Sequence, residues 1–160
     1  MNVVDVDSTE QQKVLQHRKA MLESFVNQNS RKYFHLNTLN NFIYHFTGIS
    51  NIDDRQWIYK TLQSYMDEAH GLSQQINIDS SKSIYANYLG KVANYYDKHL
   101  GFTMYVYLWV IVIMYLVVLL IVAYATNIYI GIVLLGALYT YHMTYLYKKH
   151  KQKKLFGTFY

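Results

Sequence analysis

LGFTMYVYLWVIVIMYLVVLLIVAYATNIYIGIVLLGALYTYHMTYLY, residues 100–147, contains no Asp, Glu, Lys or Arg. A helix rises about 1.5 Å per residue, so roughly 20 apolar residues match the ~30 Å hydrocarbon core of a bilayer. The stretch holds two such lengths, about 102–123 and 128–147, separated by Tyr124-Ala-Thr-Asn127. Asn127 is the expected turn former in that short connection, which makes the two segments antiparallel neighbours. The expectation is a C-terminal two-helix transmembrane hairpin.

Working outward, charge is distributed unevenly. Residues 1–99 carry ten Lys/Arg and ten Asp/Glu, so this part is neutral. The net charge of +5 lies wholly in Lys148, Lys149, Lys151, Lys153 and Lys154, directly after the second apolar segment. A nucleic-acid-binding domain would spread basic residues over its folded part, so no nucleic-acid partner is expected. Lys98 precedes the hairpin, the lysine cluster follows it, and the turn is uncharged. The positive-inside rule then predicts an integral membrane protein with both termini cytoplasmic, with a bacterial inner membrane as the expected location. Met1 to Glu10 is polar and acidic rather than basic and apolar, so the hairpin itself is expected to direct insertion.

Residues 1–99 read as a small helical domain, and an all-α fold follows. Ser8 or Thr9 with Gln11 or Gln12 three residues on resembles a capping box for a helix over 8–27. Its apolar stripe is Val14, Leu15, Met21, Leu22, Phe25 and Val26. Leu36, Leu39, Ile43 and Phe46 mark a second helix over 36–47, ended by Gly48. Asp53 with Gln56 predicts a cap for a third over 53–70, with Trp57 or Ile58, Leu62, Tyr65 and Ala69 inward. Ser80 or Ser81 is the expected cap of a fourth over 80–99, with Ile84, Tyr85, Tyr88, Leu89, Val92 and Tyr96 inward. The chain has no proline and no turn cluster near Gly90 or Gly101. The fourth helix is therefore expected to continue into the first membrane span as one rod.

Within the hairpin, Tyr105, Tyr107, Trp109, Tyr141, Tyr145 and Tyr147 are expected to form an aromatic belt at one interface, with Tyr124 and Tyr129 at the other. Tyr115, Tyr139 and His142 lie deeper and are candidates for a polar lining or gate. Tyr115 is expected beside Gly136 and Ala137. Gly136, Thr140 and Thr144 repeat every four residues and form a small-residue ridge suited to helix packing or an oligomer interface. Lys148, Lys149, Lys151, Lys153 and Lys154 are candidates for contact with an anionic cytoplasmic leaflet, with Leu155, Phe156, Phe159 and Tyr160 folding back into the interface.

Catalytic signals are missing. The chain has no cysteine, and its seven histidines form no His-x-x-x-His pair. Neither a phosphate-cradling glycine loop nor a nucleophile elbow occurs. A non-enzymatic protein without cofactor or metal is expected, self-associating and coupling a cytoplasmic partner-binding domain to the hairpin, which as an oligomer forms a pore or perturbs the membrane. The alternatives are an accessory subunit of a larger membrane complex and a membrane-shaping, lipid-binding hairpin.

Overall fold

The computed structural model describes residues 8–72, 75–104, 108–125 and 128–157, and these are almost entirely helical. Helix α1 spans Ser8–Phe25, α2 Leu36–His45, α3 Ile52–Gly71 and α4 Ile78–Ile84. A π-turn over Tyr85–Leu89 joins α4 to α5, Gly90–Leu100. A two-residue strand β1 (Thr103–Met104) precedes α6 (Leu108–Ala125), and α7 (Ile128–Lys151) leads to β2 (Leu155–Phe156). Asn127 lies outside the described residues, as do Tyr105, Tyr107, Phe159 and Tyr160. The α6–α7 contacts make the expected hairpin real as a helical pair.

Helix starts differ from the expected ones in an instructive way. Asn51, not Asp53, caps α3, its side chain accepting from the Asp53 and Asp54 amides at 2.9 and 3.1 Å. Asp53 and Asp54 instead occupy the first turn, where carboxylates complement the positive helix end. At α4, Asn77 is the cap and Ser80 closes a reciprocal box three residues later. Ser81 is buried and used elsewhere, its hydroxyl donating to Tyr33 O at 2.8 Å. Caps thus fall on an asparagine a few residues upstream of those expected, where the backbone is still extended.

The core forms between α1, α2, α3 and α5. Leu36, Leu39, Phe42 and Ile43 of α2 and Phe46 just after it are all buried, so α2 presents a continuous face to the core. Ile58, Leu62, Tyr65 and Ala69 of α3 meet it as the spacing predicts, with Trp57 left partly exposed. Only Leu15 and Leu22 of the α1 stripe are fully inside, while Val14, Met21 and Phe25 are exposed. Two fully buried tyrosines satisfy their hydroxyls on α2 and its approach: Tyr65 donates to Phe34 O, and Tyr96 to Phe42 O at 2.9 Å.

The continuous rod from α5 into α6 does not exist. Gly101 takes a left-handed conformation (φ 65°) and ends α5, its amide donating to Tyr96 O. Glycine adopts this region without a Cβ penalty. The gain from stopping is burial: Phe102 turns back and packs edge-on against Tyr96 at 4.8 Å and against Phe42 at 5.7 Å. A continuing helix would carry that ring away from the core. The first apolar helix accordingly does not start at 102, since Thr103–Met104 is strand; it is described over Leu108–Ala125.

Leu155 and Phe156 correct a second expectation. They do not turn toward a membrane interface; both are buried, and Phe156 joins the core 6.3 Å from Phe42. Strand β2 pairs in parallel with β1, Thr103 opposite Leu155 and Met104 opposite Phe156. The chain leaves the domain through β1, runs out along α6, returns along α7, reverses, and re-enters beside its own exit.

Among the described residues, no helix is long and apolar enough to cross a membrane. α6 has 18 residues and no charge, but about 27 Å of helix is shorter than a ~30 Å hydrocarbon core. α7 has 24 residues, yet Tyr139–Tyr147 includes four tyrosines, two threonines and a histidine, and its last turn is lysine-rich.

Candidate functional site at the base of the hairpin

The reversal after α7 is a helix C-cap built from the lysine cluster. Lys153 N donates to His150 O at 3.0 Å, and Lys154 N to Lys149 O at 2.9 Å. This is the Schellman pattern, with Lys153 in the left-handed position (φ 55°) where glycine is usual. Lys154 O then accepts from Thr103 N at 2.9 Å, passing the chain straight into the β1–β2 pair.

Around that turn the domain grips both ends of the hairpin. Asn41 Nδ2 donates to Leu155 O at 2.8 Å, and Thr38 Oγ1 donates to Gly157 O at 3.1 Å while accepting from Gly157 N at 3.2 Å. His45 Nε2 lies 2.8 Å from Gln152 O; since a carbonyl only accepts, Nε2 carries the proton. Lys149 Nζ donates to Gly101 O at 2.6 Å, and Thr103 Oγ1 meets Tyr145 OH at 2.9 Å. All these bonds link residues far apart in sequence, so α2, β1 and the end of α7 form one seam.

Two histidines line the seam and its flank. His45 packs edge-on against Phe102 at 5.2 Å. Its pKa is held below the ordinary value, chiefly by burial, with the positive charges of Lys154 and Lys153 acting the same way against the Gln152 hydrogen bond. His35 stands in a left-handed conformation at the start of α2 and is buried. Its Nε2 lies 3.0 Å from Ser81 Oγ and 3.3 Å from Ser81 O. Because that hydroxyl donates to Tyr33 O, Nε2 is the donor. Burial pulls the His35 pKa down to about 4, and the Ser81 carbonyl only partly opposes it.

The five lysines, Lys148, Lys149, Lys151, Lys153 and Lys154, are brought together here, and no ion pair among the described residues joins any of them to a carboxylate. Lys151 and Lys153 instead place their ammonium groups over the Tyr147 and Tyr44 rings, at 4.9 and 4.1 Å. Between α2, the end of α7 and β2 lies a cavity of about 590 Å³ that includes Lys151 and Lys153 in its wall. Among the described residues no group of three or more His, Asp or Glu side chains is arranged to hold a metal ion.

The deep hairpin residues form a second, separate cluster. Tyr115 OH donates to Leu138 O at 3.3 Å, and its ring meets Tyr139 and His142 edge-on, each at 6.3 Å. It reaches the expected stretch of α7 at Leu138 but does not fill the space at Gly136, where an added Cβ would meet nothing within 4 Å. His142 Nε2 is enclosed and has no hydrogen-bond partner among the described residues. Gly136, Thr140 and Thr144 are exposed, the threonine hydroxyls turned back to the Gly136 and Thr140 carbonyls at 2.8 Å each. The ridge is therefore unused inside the chain.

What the sequence reading missed is the seam itself. Asn41, Thr38 and His45 lie on a helix that reads as ordinary core, and Phe102 and Phe156 read as parts of apolar or interfacial segments. The available signal was an aromatic residue beside a glycine at each end of the hairpin, Phe102 after Gly101 and Phe156 before Gly157. No protein-family model, curated protein or solved structure matches this chain.

Proposed function

We propose that this is a non-enzymatic membrane-inserted protein that self-associates through its α6–α7 hairpin. Its helical domain binds a partner and couples that event to the hairpin across the β1–β2 seam. In an oligomer the hairpins form a pore or perturb the bilayer.

One observation carries the reading. The hairpin leaves large apolar side chains open on its outer faces, among them Met114, Leu120, Ile121 and Val133, all more than 60% exposed. A monomer in water does not sustain a patch of that kind; it marks contact with lipid or with protein. The charge-free length of α6 and the terminal lysines of α7 favour lipid, and the modest shortfall in the length of α6 is of the size that local bilayer thinning accommodates. The open ridge at Gly136, Thr140 and Thr144 favours a second copy, since small residues let helices approach closely. The coupling route differs from a rigid lever: two short strands and one lysine-rich turn join domain to hairpin.

Two measurements test it. After alkaline carbonate washing, the protein should stay with the membrane pellet; release into the supernatant would overturn membrane insertion. In mild detergent, light scattering should give a discrete homo-oligomer that Gly136→Leu shifts toward monomer, because the added side chain has no clash within its own chain. A wild-type monomer without conductance in liposomes would instead leave the accessory-subunit and lipid-shaping readings.

A further inference from the structure

We propose that the cavity between α2, the end of α7 and β2 is a binding site for a phosphate-bearing anion. The wall presents Asn37, Asn40 and Asn41 from one side and His150, Lys151 and Lys153 from the other. Every polar side chain in that set offers an N–H donor, and the lining includes no carboxylate. The two ammonium groups repel a divalent cation, while a tetrahedral oxyanion with several acceptor oxygens is matched by ammonium and amide donors.

The donors are held rather than loose. Asn41 is fixed by its bond to Leu155 O, and the Lys153 backbone is locked by the Schellman turn. The Lys151 and Lys153 ammonium groups rest over tyrosine rings, a contact that leaves N–H donors free and reduces the ordering cost of binding. Neither lysine has a carboxylate partner among the described residues, so an incoming anion displaces no ion pair. The positive field extends to His45, whose pKa, lowered first by burial, is lowered further by Lys154 and Lys153.

Such a ligand would bridge α2 to the turn that follows α7 and so tighten the seam. The proposal does not depend on insertion of the hairpin in a bilayer. That reading decides only whether the phosphate belongs to a lipid headgroup or is free in solution.

The test uses the full chain in an uncharged detergent, titrated calorimetrically with inorganic phosphate, with dihexanoylphosphatidic acid and with zwitterionic dihexanoylphosphatidylcholine. Saturable binding is expected for at least one of the two anions and not for phosphatidylcholine. Lys151→Gln, Lys153→Asn and Asn40→Leu should each weaken it by about tenfold, the worth of one charge-assisted or well-placed hydrogen bond. Asparagine at 153 keeps a residue that tolerates the left-handed turn. Lys148→Gln removes the same charge outside the cavity and should change affinity by less than about twofold, as for a screened surface charge. Equal weakening by all three lysine variants, or an unchanged Asn40→Leu, would show a diffuse basic surface and overturn the site, as would no saturable binding of either anion. Preference for phosphatidic acid assigns a headgroup; equal binding of inorganic phosphate assigns a free anion. Carbonate washing tests insertion independently, so failure of one reading leaves the other standing.

Discussion

The domain and the hairpin use tyrosine in opposite ways. In the domain, Tyr65 and Tyr96 are fully buried and their hydroxyls are satisfied by carbonyls of distant elements. In the hairpin, Tyr124, Tyr129, Tyr141 and Tyr147 lie open on the surface, and Tyr115 is half-buried against Tyr139 and His142. The difference teaches that the domain completes its core within one chain, whereas the hairpin has too few neighbours to do so. A pair of helices can cover only one stripe of each. The hairpin's remaining apolar surface calls for something outside the chain, and the seam joins the self-sufficient region to the dependent one.

Breaking the seam should have the largest effect. Phe102→Ala removes a ring packed on Phe42, Tyr96 and His45, and is expected to cost about 3–5 kcal/mol, in the range for deleting a buried phenylalanine. Hydrogen exchange should then show faster opening of α2 amides with α6 and α7 unaffected. If α6 and α7 open equally, the two regions are one cooperative unit and the contrast fails.

Acid should weaken the domain through its buried histidines. The folded-state pKa of His35 is about 4 against 6.5 for an unperturbed histidine. Between those values the unfolded chain binds more protons, so stability falls as pH drops from about 6.5 to about 4 and levels off below. The loss attributable to His35 is roughly 3 kcal/mol. His45 acts in the same direction. His35→Asn, which tolerates the left-handed backbone, should flatten the urea midpoint across that window. An unchanged slope would show that His35 is not the responsible group.

The finest comparison sets the buried Tyr96 hydroxyl against the more open Tyr115 hydroxyl. Tyr96→Phe leaves Phe42 O buried without its partner and should cost about 1–3 kcal/mol. Tyr115→Phe removes a longer, more open bond to a carbonyl already engaged in its helix and should cost roughly 0.5 kcal/mol, the low end for one hydrogen bond. Urea unfolding of the two variants in micelles measures both. Equal costs would mean that the hairpin is as tightly closed as the domain.

Much of the architecture was legible in residue order. The spacings Leu36–Leu39–Ile43–Phe46 and Ile58–Leu62–Tyr65–Ala69 specify inward faces because a helix repeats every 3.6 residues, and the structure buries those faces. The hairpin was legible as two uncharged helical lengths. The caps were misplaced by a few residues, since several short polar side chains stood near each start and only backbone geometry selects among them.

By itself, then, the sequence determined the all-α character, the helical pair and the collection of five lysines after it, because these depend on local periodicity and composition. The tertiary structure alone decided that Gly101 stops α5, that Phe102 and Phe156 enter one core from opposite ends of the hairpin, and that the lysine turn lies against α2. Those outcomes rest chiefly on contacts between residues distant in sequence, such as Phe42 with Phe102 and Phe156, and His45 with Gln152. Their free energy comes from burying rings and pairing backbone groups across elements, and no local pattern in the chain encodes which distant surface is available to receive them.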